Sequence, residues 1–167
     1  LRFAPKKSWE LPPATQLIKS FYLDGRIVET RLLIKRGTGT GWDGFSYQWD
    51  AEGKEAFLLE DGHTAVYEVP DGDGVRKHRH VFPSRLQCGD CHTPAAGYIL
   101  GWRTGQLNRD GQIEAWVRAG LFAGEVPAAD EWERLPRPED RDAGVAAKAR
   151  AYLETNCAAC HHPDNSI

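Results

Sequence analysis

The chain reads as an α+β protein: an N-terminal antiparallel β sandwich or partial barrel followed by a mainly helical region. Three observations predict this. Apolar and polar residues alternate with period two over residues 26–35, next to an Asp-Gly turn signal. Further Gly- and Asp-rich turn signals recur through the first half. After Pro83 the apolar period lengthens to that of a helix. The division falls near Pro83, giving residues 1–82 as a β-rich scaffold domain and 83–167 as a helical region.

Thr15 to Leu23 is apolar-rich, with Leu17, Ile18, Phe21 and Tyr22, and Asp24-Gly25 supplies a tight hairpin turn. Arg26 to Lys35 returns, with Val28, Thr30, Leu32 and Ile34 on one face and Glu29, Arg31 and Lys35 on the other. Gly37-Thr38-Gly39-Thr40-Gly41 lacks the Lys-Ser/Thr of a phosphate loop and the glycine spacing of a dinucleotide fold, so it reads as a flexible hairpin connection. Tyr47 and Trp49 suit a further strand, as do Ala65, Tyr67 and Val69. Pro70-Asp71-Gly72-Asp73-Gly74 is a turn that lacks the remaining carboxylates of a calcium loop, and Val75 to Phe82 returns as a strand. Trp42, Trp49 and Phe57 are the expected core of this half. In the second half, Ile113, Trp116, Val117 and Leu121 predict a helix over Gln112–Phe122, punctuated by Gly120 and Gly124. Leu135-Pro136-Arg137-Pro138 is a stiff, extended connection. Asp142–Asn156, rich in Ala, Lys, Arg, Leu and Glu, is the strongest helix, with Asp142 as its N-cap, and it runs directly into Cys157.

All four cysteines fall in two copies of one motif, Cys88-Gly-Asp-Cys91-His92 and Cys157-Ala-Ala-Cys160-His161. The spacing has a chemical reason. Two thiols three positions apart on one helical turn can each form a thioether to a vinyl group of one porphyrin, and the next residue then supplies an axial nitrogen to the iron. Paired Cys-x-x-Cys segments also suit the two halves of a zinc site, redox dithiols or disulfides. None of these needs a histidine after the second cysteine. With 6 histidines in 167 residues, chance would place one there twice on the order of once in a thousand chains. The expectation is two covalently bound haem c groups, on Cys88 and Cys91 and on Cys157 and Cys160, with His92 and His161 as proximal iron ligands. The second region would then be a cytochrome c-like haem region.

The net charge of −3 and the lack of a Lys/Arg block give no indication of nucleic acid, and no apolar run approaches the length of a transmembrane helix. Thioether attachment takes place outside the cytoplasm, so a periplasmic or extracellular location is expected, the export signal not being part of these residues. Only six residues follow His161, which is little to build the far wall of a haem pocket. The expectation is that a C-terminal continuation or a neighbouring subunit completes the second site.

The sixth ligands are the open question. There is no Met in the chain, so His/Met ligation cannot be completed within it. His78 and His80 lie two apart on an expected strand, on one face with Phe82. Either could close the first haem, although Arg76, Lys77 and Arg79 around them also suit a solvated basic strand. His63 is the internal fallback for the second haem. His162 cannot reach the far side of the iron bound by its neighbour His161. Tyr98, Trp102 and Tyr152 suit either pocket walls or ordinary core packing.

Several patterns together carry a resemblance: Pro83-Ser84-Arg85 ahead of the first motif; Leu100-Gly101; Gln106-Leu107-Asn108; Gly120-Leu121-Phe122; and Lys148-Ala149-Arg150-Ala151-Tyr152-Leu153 ahead of Asn156-Cys157-Ala158-x-Cys160-His161. Lys19-Ser20-Phe21 and Ile27-Val28-Glu29-Thr30-Arg31-Leu32-Leu33 extend it into the β-half. In these patterns the chain resembles a little-characterised family of bacterial dihaem c-type cytochromes. The resemblance implies an exported electron carrier, sometimes part of a larger redox protein, that exchanges electrons with redox protein partners. Members of that family extend well past the second motif. Two other classes fit the motifs. One is a peroxidase-like haem enzyme with one open iron, for which no distal motif is recognisable. The other is a subunit that stacks with copies of itself into a multihaem filament.

Overall fold

The computed structural model of the chain describes residues 1–6, 8–37, 41–159 and 161. It is α+β, with antiparallel strands in the N-terminal part, and it divides into two compact units. One unit is Pro13–Cys91; the other joins Leu1–Pro12 to the chain from His92 on. The sequence places the division near Pro83 and keeps the first twelve residues with the β-half. Trp9 explains their place in the second unit. Its ring is buried edge-on against Trp102, Trp116 and Phe122 at 6.4, 5.9 and 5.1 Å, and its Nε1 donates to Thr104 Oγ1 at 3.0 Å.

The first unit holds a four-stranded antiparallel sheet in the order β1 (Gln16–Leu23), β2 (Arg26–Lys35), β3 (Trp42–Trp49), β4 (Ala56–Leu58). A separate hairpin pairs β5 (His63–Asp71) with β6 (Gly74–Phe82). The Asp24-Gly25 turn has the positive φ at both residues that a two-residue hairpin of matching twist requires, +48° and +74°. The expected connection at residues 37–41 does join two paired strands, β2 and β3, while Thr38 to Thr40 lie outside the described residues.

Burial along β2 does not follow polarity. Glu29 is wholly buried beside Val28, while Leu32 and Ile34, on the face of Val28, are only half-buried. The buried carboxylate is tolerated because both its oxygens are satisfied. Arg31 donates from Nε and Nη2 at 2.7 and 3.0 Å, and His80 Nε2 donates at 2.7 Å. Val28, Val69 and Phe82 are the buried apolar side chains of this unit. The expected core residues are not among them. Trp42 and Trp49 are half-buried, and Phe57 is 56% exposed because it sits on a three-residue edge strand with no strand beyond it. Trp49 instead donates its Nε1 to Thr30 Oγ1 at 2.9 Å and lines an open groove with Ile18, Leu32 and Tyr47.

Four helices follow: α1 (Arg85–Cys91), α2 (Thr104–Leu107), α3 (Gln112–Arg118) and α4 (Val145–Asn156). Helix α3 ends earlier than the apolar pattern suggests. Gly120, at φ +66°, closes it with Gly120 N–H to Val117 O and Leu121 N–H to Trp116 O, a Schellman pair. Helix α4 begins three residues later than expected. Its N-cap is Gly144, not Asp142, and no side-chain cap bond is made. Trp102 stacks on Trp116 at 5.7 Å and 9°, which is ordinary packing in the second unit.

Candidate functional site

The first Cys-x-x-Cys-His segment lies where the chain passes from one unit to the other. Cys88 and Cys91 are on α1 at the end of the β-unit, and His92 opens the second unit. Helix α1 starts in a capping box. Ser84 Oγ accepts from Gln87 N–H at 3.2 Å, and Gln87 Oε1 accepts from Ser84 N–H at 2.9 Å. The two cysteines of the turn differ in setting. Cys91 is exposed, whereas Cys88 is half-buried, and burial pushes its thiol pKa up despite the opposing charge of Arg31. Neither is in a disulfide, nor is Cys157.

His92 is held by a loop built for one contact. Gly97 and Tyr98 both take positive φ, +73° and +63°, and Tyr98 N–H closes back on Thr93 O at 2.8 Å. This conformation is costly for a residue with a side chain. It brings the Tyr98 carbonyl to 2.6 Å from His92 Nδ1. A carbonyl can only accept, so Nδ1 carries the proton. In the neutral ring the lone pair then resides on Nε2, the state in which a histidine binds a metal.

The second segment caps α4. Cys157 N–H bonds to Leu153 O and His161 N–H to Cys157 O, both at 2.8 Å. Cys157 is half-buried and His161 exposed; Cys160 lies outside the described residues. Helix α4 is poorly covered: Ala151 is its one buried residue, while Tyr152 is 65% and Leu153 54% exposed. Leu153 and Cys157 stand four residues apart, on one helix face. In α1, Leu86 is 88% exposed two residues before Cys88. Each segment thus presents uncovered apolar side chains beside its cysteines.

The strand histidines separate in role. His78 and His80 share a face of β6 with Phe82, as expected, with His78 half-buried and His80 buried. His80 Nε2 is committed to Glu29, and its ring packs edge-on against Phe82 at 4.7 Å. His78 lies 6.0 Å from His80 ring to ring. His63 is exposed and stacks on Phe82 at 4.8 Å. His162 lies outside the described residues. Among the described residues, no three His, Cys, Asp or Glu side chains gather as a metal site would need, and no helix is long and apolar enough to cross a membrane.

The capping box and the histidine-carbonyl bond are the features that sequence reasoning missed. Ser84-x-x-Gln87 was legible as a box. The Tyr98 carbonyl was not, because it depends on a left-handed conformation at a tyrosine. No family model, curated protein or solved structure matches the chain.

Proposed function

We propose that the chain is a dihaem c-type cytochrome that carries electrons between redox protein partners outside the cytoplasm. The observation that carries the proposal is the pairing of sequence and geometry at the first motif. A histidine directly behind Cys-x-x-Cys has its Nδ1–H fixed on the Tyr98 carbonyl at 2.6 Å, which leaves Nε2 for an iron. Cys88 and Cys91 would hold the first haem and Cys157 and Cys160 the second, with His92 and His161 as proximal ligands. The exposed Leu86, Tyr152 and Leu153 support the reading, since a bound porphyrin would bury apolar surface of this kind.

Haem would supply a one-electron ferric–ferrous couple at each site. The residues of the chain do the rest. The cysteines fix the group covalently, and His92 orients its ring through Tyr98. The hydrogen bond to Nδ1 raises the basicity of Nε2, one of the levers that set a potential.

The test is the chain produced with export and a haem-attachment system, then run denatured on a gel and stained for haem peroxidase activity. Stain retained by the denatured band supports the reading. Porphyrin extracted into acid-acetone, leaving a colourless band, sinks it.

A further inference from the structure

We infer that strand β3 is the seat of the first attachment helix, and that Gly44 is the positioning residue for the Cys88 thioether. The inference rests on the haem reading above and assigns the β-unit a part in it beyond that of a scaffold.

Three successive residues of β3 meet α1. Arg85, the first residue of the helix, stacks its guanidinium on the Phe45 ring at 4.4 Å and reaches Asp43 Oδ1 at 3.8 Å. Between them, Gly44 lies directly under Cys88. A Cβ placed on Gly44 would stand 2.8 Å from both Cβ and Sγ of Cys88, closer than carbon and sulfur can approach. Gly44 does not take a positive φ, so a left-handed turn is not what requires glycine here. What requires it is the approach of Cys88. The burial of β3 agrees: its two buried positions are Gly44 and Ser46, its two smallest residues. The sheet is therefore hollowed where the helix lies, and the hollow is filled by the cysteine that would bond the porphyrin.

Attachment at this thiol is an addition. The Cys88 sulfur bonds to the inner carbon of a vinyl group, the thiol proton goes to the terminal carbon, and no oxidant or reductant is consumed. The geometric demand is that Cys88 and Cys91 stand at the spacing of two vinyl groups while His92 stands beneath the iron. Cys91 is exposed. The depth of Cys88 is set by its contact with β3. A side chain at position 44 would push Cys88 and the first turn of α1 off the sheet, while the second motif would be untouched.

The experiment is peptide mapping with optical spectra on the full chain, exported with the haem-attachment system, as wild type, Gly44→Val, Gly44→Ala and Gly89→Ala. Gly89 lies inside the same motif, with open space where its Cβ would go. In Gly44→Val the Cys88–His92 peptide is expected to lose the Cys88 thioether in most molecules, leaving haem on Cys91 alone or none. One vinyl group then stays conjugated, and the reduced absorption bands of that haem move to longer wavelength. Gly44→Ala should show the same defect severalfold more weakly, and it supplies the reading if the valine variant does not accumulate. Gly89→Ala and every second-motif peptide should match wild type. Two intact thioethers and an unshifted spectrum in Gly44→Val, or an equal defect in Gly89→Ala, overturn the inference while leaving the haem reading in place. A wild-type chain without covalent haem fails the reading and takes this inference with it.

Discussion

The two Cys-x-x-Cys-His segments share one set of side chains on very different supports. The first lies on a seven-residue helix that is capped at its start by Ser84 and Gln87 and pressed onto β3 through Cys88. The second ends a twelve-residue helix with no side-chain cap, from which only Ala151 is buried. A short helix is unstable alone in water, and even twelve residues are marginal. The first is held from outside by a sheet. The second has little of the described protein to hold it beyond contacts such as Arg103 Nη1 to Glu154 Oε1 at 2.6 Å. The position of such a segment can be set by the fold or by a bound group. In the first segment the protein sets the position of the thiol. In the second, a covalently bound group would itself supply the missing apolar cover.

The largest expected effect is removal of one pair of thiols. Cys88→Ser with Cys91→Ser should remove one haem and leave the folded β-unit. Cys157→Ser with Cys160→Ser should remove the other haem and also unwind α4, seen as lost helical circular dichroism. Equal helix loss in both variants would break the comparison. Next is Glu29→Ala, which strips the buried partner from His80 and Arg31. Breaking such a pair costs about 3–5 kcal/mol, to be read from denaturant unfolding of the β-unit. The second haem should keep its spectrum. If His80→Gln altered the spin state of the first haem, His80 would be a ligand and not the structural partner of Glu29. Ser84→Ala should cost about 1 kcal/mol through the lost cap and lower double attachment at the first motif only, by peptide mapping.

The smallest effect concerns acid. Two hydrogen bonds from Arg36, at 2.9 and 3.1 Å, hold the Asp43 carboxyl below the usual carboxylate range. A carboxyl with a depressed folded pKa stabilises the fold above its ordinary pKa of about 4. That contribution is lost as the pH falls through the folded value. Asp43→Asn should therefore lower β-unit stability slightly in the neutral range, flatten the acid limb below about pH 4, and leave the acid end, where the carboxyl is already protonated, little changed. An acid limb identical to wild type would show that the Arg36–Asp43 pair adds nothing to the stability of the β-unit.

Much of the fold is legible where local chemistry decides it. Asp24-Gly25 fixes a hairpin, and β2 runs over Arg26–Lys35 as the alternation indicates. What the alternation does not contain is which face is covered. Glu29 looks like a solvent residue until Arg31 beside it and His80 on β6 are seen to satisfy it. Leu32 and Ile34 look like core, yet both are only half-buried while Val28 on the same face is buried. Phe57 fails as a core residue for a related reason, since edge position is a property of sheet order and not of sequence. At the site, the motif spacing announces the cysteines and histidines. The Gly44 contact and the Tyr98 carbonyl are long-range or conformational and have no local signature.

The central claim is covalent attachment of two haems, and the most direct measurement is the intact mass of the denatured, exported chain followed by peptide mapping. The expected mass is raised by two haems, one on the peptide carrying Cys88 and Cys91 and one on that carrying Cys157 and Cys160. An unmodified polypeptide mass, with native mass spectrometry showing a zinc ion held by the same cysteines, would contradict it.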